Sequence, residues 1–202
     1  MGYLSWITSC CCFSNSLPKE NNDISTIKEP SPLTHENVVE KLDSLITITS
    51  KDVEYFSLNG IKTQGKIVDI YDGDTCTIIF YHKNEFMKLK CRLNGIDCPE
   101  MRPPKSKVGR EEEIKQAILA RNKVISMGTS LGELPDMIPK DALKERMNSN
   151  TKIITIHLYD FDKYGRVLAE LIVDDISINE YLVENKYAKK YDGGTKDEFT
   201  YG

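Results

Sequence analysis

Residues 67–75 read Ile-Val-Asp-Ile-Tyr-Asp-Gly-Asp-Thr, an alternating strand pattern that runs directly into a tight acidic loop. A second string, Arg-Leu-Asn-Gly-Ile-Asp-Cys-Pro-Glu, occupies residues 92–100, and a third, Asp-Lys-Tyr-Gly-Arg, occupies residues 162–166. Each has strand-like flanks. An isolated Asp-Gly-Asp is typical of a β-turn, so the significance lies in the three strings occurring in this order.

The apolar pattern outward from these strings predicts a small α+β domain. From Lys62 the period is two, which is typical of strands; we expect five, at residues 62–71, 75–81, 86–94, 152–159 and 166–173. Helical spacing predicts one helix at about Gly109–Met127 and another at Ile176–Asn185, with Asp174 or Asp175 as the N-cap. Between them, Pro139–Met147 is expected to form a short helix, because proline suits a first helical turn.

The second and third strands are predicted to form a hairpin around Lys83-Asn84. If His82 pairs with Glu85 across a two-residue loop, Cys76 and Cys91 lie opposite each other on the core side. Directly opposed residues have Cα atoms ~4.5–5.5 Å apart, which a disulfide can span. We nevertheless expect a buried, unbonded pair, since a cytosolic setting keeps thiols reduced.

The charge distribution separates an N-terminal segment from the rest of the 202-residue chain. Residues 1–60 hold four Lys or Arg against eight Asp or Glu, whereas residues 61–202 hold 23 of each sign. Such a neutral domain lacks the general attraction of a strongly basic nucleic-acid binder. Any polyanionic substrate would therefore be held by local arginines and a metal ion.

The N-terminal segment resembles a linker. We divide the chain into a start at residues 1–13, a largely disordered tether at 14–50, a domain at 51–192 with an insertion at 128–150, and a tail at 193–202. Proline, serine, asparagine and charge dominate the tether. A short amphipathic helix at Glu36–Ile46 and a transient helix within a linker are both compatible with its sequence.

The three strings carry chemistry that fits one class of reaction. Four of their carboxylates, Asp72, Asp74, Asp97 and Glu100, suit a hard cation and a water molecule, and their two guanidiniums suit a phosphodiester. A metal-dependent phosphodiesterase needs oxygen ligands, a base for the water, and fixed positive charge at the phosphate. The chain has no Cys-x-x-Cys pair, so a structural zinc site is not expected.

Together the strings resemble the thermonuclease (staphylococcal nuclease) family, from about Lys62 to Lys190. The family pattern is a strand entering Asp-Gly-Asp-Thr, a strand carrying arginine and ending in Asp-x-Pro-Glu, and a later Asp-Lys-Tyr-Gly-Arg. The resemblance implies an OB-fold, a five-stranded β-barrel with two packed helices. The family pattern has no counterpart for residues 128–150 of this chain.

The resemblance also implies roles for individual residues. Asp74, Asp97 and the backbone carbonyl of Cys98 would bind Ca²⁺, although the family commonly has threonine where this chain has Cys98. Glu100 would act on the attacking water, either as the general base or by positioning it. Arg92 and Arg166 would hold the phosphate, each with a planar fork of donors.

Four further residues have weaker assignments. Asp72 would hold metal-bound waters or begin a turn. Lys163 and Tyr164 would contact a terminal phosphate or form a β-turn. Tyr191 would stack on a nucleotide, although its spacing from Ala188 departs from the family by about one position.

The first residues suggest an acylation signal. Gly2 fits N-myristoylation, but Trp6 stands where serine or threonine is expected. Cys10, Cys11 and Cys12 are candidates for palmitoylation, and stable anchoring would need several acyl chains. The alternative is an unmodified tail with reduced thiols. Acylation would place an intracellular, cytoplasmic protein at the cytosolic face of a membrane.

The sequence thus predicts a monomeric, calcium-dependent endonuclease that cleaves DNA and leaves 3′-phosphate ends, with RNA as a further candidate substrate. One alternative is a catalytically inactive OB-fold module that binds nucleic acid. Another is a membrane-recruited scaffold whose biology depends on residues 1–13.

Overall fold

The computed structural model describes residues 41–194 and residue 199. The chain divides into two units, residues 1–46 and 47–202. In the first unit residues 41–44 are helical, so the predicted helix at Glu36–Ile46 lies partly outside the described residues. The proposed acylation sites, Gly2 and Cys10–Cys12, lie entirely outside them.

The second unit contains a closed barrel. Its strands are β1 (Lys62–Ile70), β2 (Thr75–His82), β3 (Glu85–Leu93), β4 (Ile96–Asp97), β5 (Ile154–Phe161), β6 (Val167–Val173), β7 (Ile176–Ser177) and β8 (Lys189–Lys190). The main sheet has the order β3-β2-β1-β5-β6-β7, and a parallel pairing of β3 with β6 closes it. Five long strands therefore form the barrel, which confirms the predicted OB-like α+β fold.

The alternation of buried and more exposed residues along the strands explains how the core is formed. In β6 every second residue, from Val167 to Val173, is buried, and β5 buries Ile154, Ile156 and Leu158 in the same way. Since successive side chains in a strand point to opposite faces, one face of each strand fills the barrel. Apolar side chains removed from water contribute most of the folding free energy, at about 25 cal/mol per Å².

Three helices pack around the barrel: α1 (Arg110–Gly128), α2 (Lys140–Asn148) and α3 (Ile178–Glu184). The first two lie within a residue of their predicted positions, and α2 belongs to the insertion. Leu143 and Met147 of α2 are buried, so the insertion contributes to the core. In the described part of the chain, no helix is long and apolar enough to cross a bilayer.

The prediction for the start of α3 was wrong. Asp174 and Asp175 do not cap it; they form a hairpin turn with φ of 50° and 64°, and Ile176 and Ser177 then pair with β6 as β7. Left-handed φ at both central residues is the geometry of a tight two-residue hairpin, which aspartate tolerates. The N-cap is Ser177, whose side chain accepts a hydrogen bond from the Glu180 N–H.

The register of the β2–β3 hairpin is as predicted. His82 pairs with Glu85 and Cys76 with Cys91, and Lys83 and Asn84 have the left-handed φ of the turn. Both cysteines are buried and unbonded. A hydrogen bond with the Cys76 side chain and burial raise the pKa of Cys91 well above its usual range, so its thiol stays protonated.

Alkylation should therefore distinguish the folded from the unfolded protein. We expect iodoacetamide at neutral pH to leave Cys76 and Cys91 unlabelled in the native state, because both thiols are buried in the core. Both should become labelled after denaturation without reductant, as mapped by peptide mass spectrometry. A peptide pair linked through these two cysteines would contradict the unbonded assignment.

Candidate active site

A groove of about 1060 Å³ opens where the three sequence strings meet. Its walls come from the loop between β1 and β2, the end of β3 and the segment after it, the β5–β6 turn, and residues 191–194. Every predicted catalytic residue lines it: Arg92, Glu100 and Arg166. Segments far apart in sequence therefore present their polar side chains to one opening.

The Arg92 guanidinium bridges two buried carboxylates. Its Nη1 lies 3.0 Å from Asp74 Oδ1 and its Nη2 lies 2.9 Å from Asp97 Oδ1. Nη2 also donates to the Ile96 carbonyl, at 3.2 Å. Burial opposes the charged form, but the carboxylates outweigh it and the pKa of Arg92 is raised. Arg92 thus ties the start of β2 to the end of β3 and to β4.

The acidic loop folds upon itself. Asp72 Oδ1 accepts a hydrogen bond from the Asp74 N–H, so this residue begins a turn and also lines the groove. Gly73 is required by space: a Cβ there would lie 2.7 Å from Cys98 Sγ and 2.8 Å from the Ala120 Cβ. The loop is therefore seated directly on α1 and on the segment that follows β4.

Thr75 links the two arginines. Its hydroxyl donates to Asp74 Oδ1 at 2.9 Å and accepts from Arg166 Nη1 at 3.3 Å. Arg166 is fixed from its other side, because Nε and Nη2 both lie 2.7 Å from Asp162 Oδ2. Burial would raise the pKa of Asp162, but hydrogen bonds from Arg166 and Tyr164 lower it. One polar network thus runs from Asp162 to Asp97.

The sequence identified Asp162 and Thr75 as parts of motifs without assigning their contacts. Asp162 Oδ1 accepts from the N–H groups of Tyr164 and Arg166. Asp162 therefore builds the turn and orients Arg166 at the same time. An aspartate four residues before an arginine, with a glycine between them, was the signal available in the sequence.

The carboxylate cluster carries excess negative charge. Asp72, Asp74 and Asp97 are 6%, 3% and 4% exposed, and Arg92 pairs with two of them. Burial, followed by the charge of Asp74, raises the pKa of Asp72 to about 7. A divalent cation would compensate this charge, so the donor set fits a hard, oxygen-binding metal.

The geometry sets limits on how such a cation would bind. The described residues contain no group of three His, Cys, Asp or Glu side chains arranged around one metal position. The predicted ligand set needs only two carboxylates and a carbonyl. Asp74 already accepts from Arg92, Thr75 and the Cys98 N–H. A carboxylate has about four acceptor positions, so one remains for an ion.

Cys98 contributes its backbone rather than its thiol. Its N–H donates to Asp74 Oδ2 at 3.1 Å, while the side chain belongs to the hydrophobic core. Burial and the neighbouring carboxylates raise the pKa of Cys98 well above its usual range. A cysteine in place of the family's threonine therefore leaves the backbone geometry available.

Glu100 is exposed at the groove, and its backbone is held by a residue of α1 that belongs to none of the three sequence motifs. Glu113, in the first turn of α1, is 1% exposed. Its Oε1 accepts from the Glu100 N–H at 3.3 Å, and its Oε2 pairs with Lys107. Acidic residues in the first turn of a helix are favoured by its dipole, so the sequence carried no separate signal for this contact.

Aromatic residues cover the two arginines. The Tyr191 ring centroid lies 5.6 Å from Arg92 Cζ, and the Tyr164 ring centroid lies 5.6 Å from Arg166 Cζ. Lys163 also contacts the Tyr164 ring, with Nζ 5.2 Å from the ring centroid. All three predicted contact residues, Lys163, Tyr164 and Tyr191, line the groove.

The position of Glu113 leads to a stability prediction. Glu113→Ala removes the acceptor for the Glu100 N–H and the partner of Lys107, and should cost ~1–3 kcal/mol of unfolding free energy. Glu113→Gln keeps an oxygen for the N–H and should cost less. Urea unfolding measures both, with the exposed Glu111→Ala as the control for helix-dipole effects. Equal stability of Glu113→Ala and Glu111→Ala would refute this role.

One family model, described as staphylococcal nuclease homologue, matches residues 90–201. The match covers more than half of the 202 residues and includes the end of β3, the Glu100 segment and the Arg166 turn, but not the Asp72–Thr75 loop. No curated protein gives a significant match to the chain. By this match and the barrel fold, the chain belongs to the staphylococcal nuclease homologue family.

Proposed function

We propose that the protein is a calcium-dependent endonuclease that hydrolyses phosphodiester bonds of DNA and RNA and leaves 3′-phosphate ends. The observation that carries the proposal is the convergence of Arg92, Glu100 and Arg166 on one groove beside a buried carboxylate cluster. Membership of a nuclease homologue family supports a nucleic-acid substrate. A binding module without catalysis would not need this complete set of acids and arginines.

The two arginines would bind the scissile phosphate. Each is held by carboxylates on one side, Arg92 by Asp74 and Asp97, and Arg166 by Asp162. Such partners fix the guanidiniums before substrate arrives, so little reorganisation is needed when charge develops on the phosphate. Thr75 links the two arginines through Asp74, which keeps their separation constant.

Glu100 would act on water. Its carboxylate orients a water molecule toward phosphorus and accepts the proton as the new P–O bond forms. The bond from phosphorus to the 5′-oxygen then breaks, and that oxygen takes up a proton to become a 5′-hydroxyl. The phosphate remains on the 3′-oxygen, which accounts for the proposed 3′-phosphate product.

Asp74, Asp97 and the Cys98 carbonyl would hold the calcium ion. Bound there, the ion would add positive charge at a phosphate oxygen and make water more acidic. Calcium suits a site with few protein ligands, because it accepts six to eight oxygens in loose geometry and can complete its shell with water. Asp72, at the edge of the groove, would hold such waters by hydrogen bonds.

A cleavage assay tests the proposal directly. The full chain should cleave labelled single- and double-stranded DNA and RNA with calcium, and lose activity in chelator. Magnesium should support less cleavage, because its octahedral geometry is stricter, and zinc should support little. Glu100→Gln should lower the rate by at least ~10²-fold. Undiminished cleavage in chelator would overturn the mechanism.

The Arg166 fork leads to a second prediction. Arg166→Lys keeps the positive charge but loses the bidentate contact with Asp162 and the donor to Thr75. We expect kcat to fall at least ~10²-fold, with little change in the unfolding midpoint. The matched control is Arg146→Lys, an exposed arginine of α2 outside the groove. If Arg166→Lys folds normally and cleaves like Arg146→Lys, Arg166 has no catalytic role.

A further inference from the structure

The outward face of the β2–β3 hairpin continues directly from the groove. Its outward pairs, in order from the groove to the tip, are Thr75 with Arg92, Thr77 with Lys90, Ile79 with Lys88, and Tyr81 with Phe86. The pairs between them, which include Cys76 with Cys91, face the core. No bulge interrupts this register, so the face that presents Arg92 to the groove reaches the tip unbroken.

This face is basic next to the groove. Lys88 and Lys90 are exposed, and neither forms an ion pair within the described part of the chain. Alternate residues of a strand lie ~6.6–6.8 Å apart, so Lys88, Lys90 and Arg92 form a regular row of cations. Asp69 of β1 lies beside Thr77, and its Oδ1 accepts from the Ile70 N–H.

The tip carries two exposed aromatic side chains. Phe86 is 79% exposed and Tyr81 is 51% exposed, and their ring centroids lie 5.2 Å apart in an edge-to-face arrangement. Aromatic rings exposed at the end of a basic row provide surfaces on which bases stack, at ~1–3 kcal/mol per base. Within a duplex the bases already stack on one another, so these rings favour an unpaired strand.

We propose that Lys88, Lys90, Tyr81 and Phe86, here called the hairpin stripe, bind a single-stranded nucleic acid whose scissile phosphate lies in the groove. The proposal rests on the proposed function of the groove and adds a substrate class to it. The two lysines contact successive phosphates on one side of the scissile bond, and the two rings stack on bases farther along. In a domain with 23 charges of each sign, this local row supplies attraction that the net charge does not.

Binding can be measured separately from cleavage. In the Glu100→Gln background with calcium, fluorescence anisotropy would follow a labelled 12-nucleotide pyrimidine strand, the matching duplex and a dinucleotide. The test variants are Lys88→Gln/Lys90→Gln and Tyr81→Ala/Phe86→Ala. The controls are Lys140→Gln/Lys144→Gln on α2 and Tyr55→Ala, whose side chains are also exposed. Unchanged unfolding midpoints would verify that each variant is folded.

The stripe predicts a specific pattern. Loss of two phosphate contacts should weaken binding of the 12-nucleotide strand about tenfold and reduce the slope of log K against log salt by ~1.4. Tyr81→Ala/Phe86→Ala should weaken it at least fivefold with little change in that slope. Dinucleotide binding should be unaffected, since a dinucleotide fits within the groove. The control variants should bind like the parent.

Several results would overturn the proposed role of the hairpin stripe: no measurable binding of the 12-nucleotide strand, parental affinity in both test variants, equal losses in the controls, or equal losses with the duplex.

Cleavage assays with Glu100 restored separate the two proposals. If wild type cleaves and the stripe variants cleave the long strand equally well, the stripe is wrong and the nuclease assignment stands. If nothing is cleaved but the stripe variants lose single-strand binding, only the nuclease assignment is wrong.

Discussion

The bridge that Arg92 makes between Asp74 and Asp97 is the interaction on which the rest of the site depends. All three side chains are almost completely buried, and the two carboxylates come from segments on opposite sides of β3 in the sequence. Removing one member of a buried ion pair typically costs ~3–5 kcal/mol, because the charge left behind has no partner. The bridge therefore holds the acidic loop, β3 and β4 in one arrangement.

That arrangement extends across the groove through short polar contacts. Asp74 orients Thr75, Thr75 contacts Arg166, and Asp162 fixes Arg166 from behind. On the remaining side, Glu113 holds the backbone of Glu100 to α1. Arg92, Arg166 and Glu100 are thus each held by residues that do not touch substrate, which keeps the geometry of the groove fixed.

The charge of the site is local rather than general. Residues 61–202 have no net charge, yet the groove is lined by the buried Asp72 and Asp74 and by two arginines, and the buried Asp97 pairs with Arg92. A neutral protein gains little from long-range attraction of a polyanion. The proposed binding of nucleic acid would therefore depend on cations at defined positions, which strand register sets.

Much of the fold followed from local pattern. Period-two alternation located the five long strands, and a two-residue loop at Lys83-Asn84 fixed the pairing of Cys76 with Cys91. The same reasoning failed at Asp174-Asp175, because an aspartate before a helical pattern suits a helix cap and a hairpin turn equally well. The parallel contact of β3 with β6, which closes the barrel, joins residues too distant in sequence for periodicity to indicate.

The candidate site, like the fold, could be predicted only in part from the sequence. Motifs identified which side chains face the groove, but not the contacts among them. That Arg92 is engaged by Asp74 and Asp97, and that Glu113 supports Glu100, depends on packing between elements. Cys98 is the opposite case: its side chain departs from the family pattern, yet the structure buries that side chain, and the backbone N–H makes the contact with Asp74.

The proposed mechanism requires the carboxylate cluster to bind a cation. Isothermal titration calorimetry of the full chain with calcium, beside an Asp97→Asn variant of unchanged fold, tests this most directly. One ion should bind per chain in the wild type, with affinity weakened at least tenfold in the variant. Absence of saturable calcium binding in the wild type, or equal affinity in the two proteins, would contradict the account.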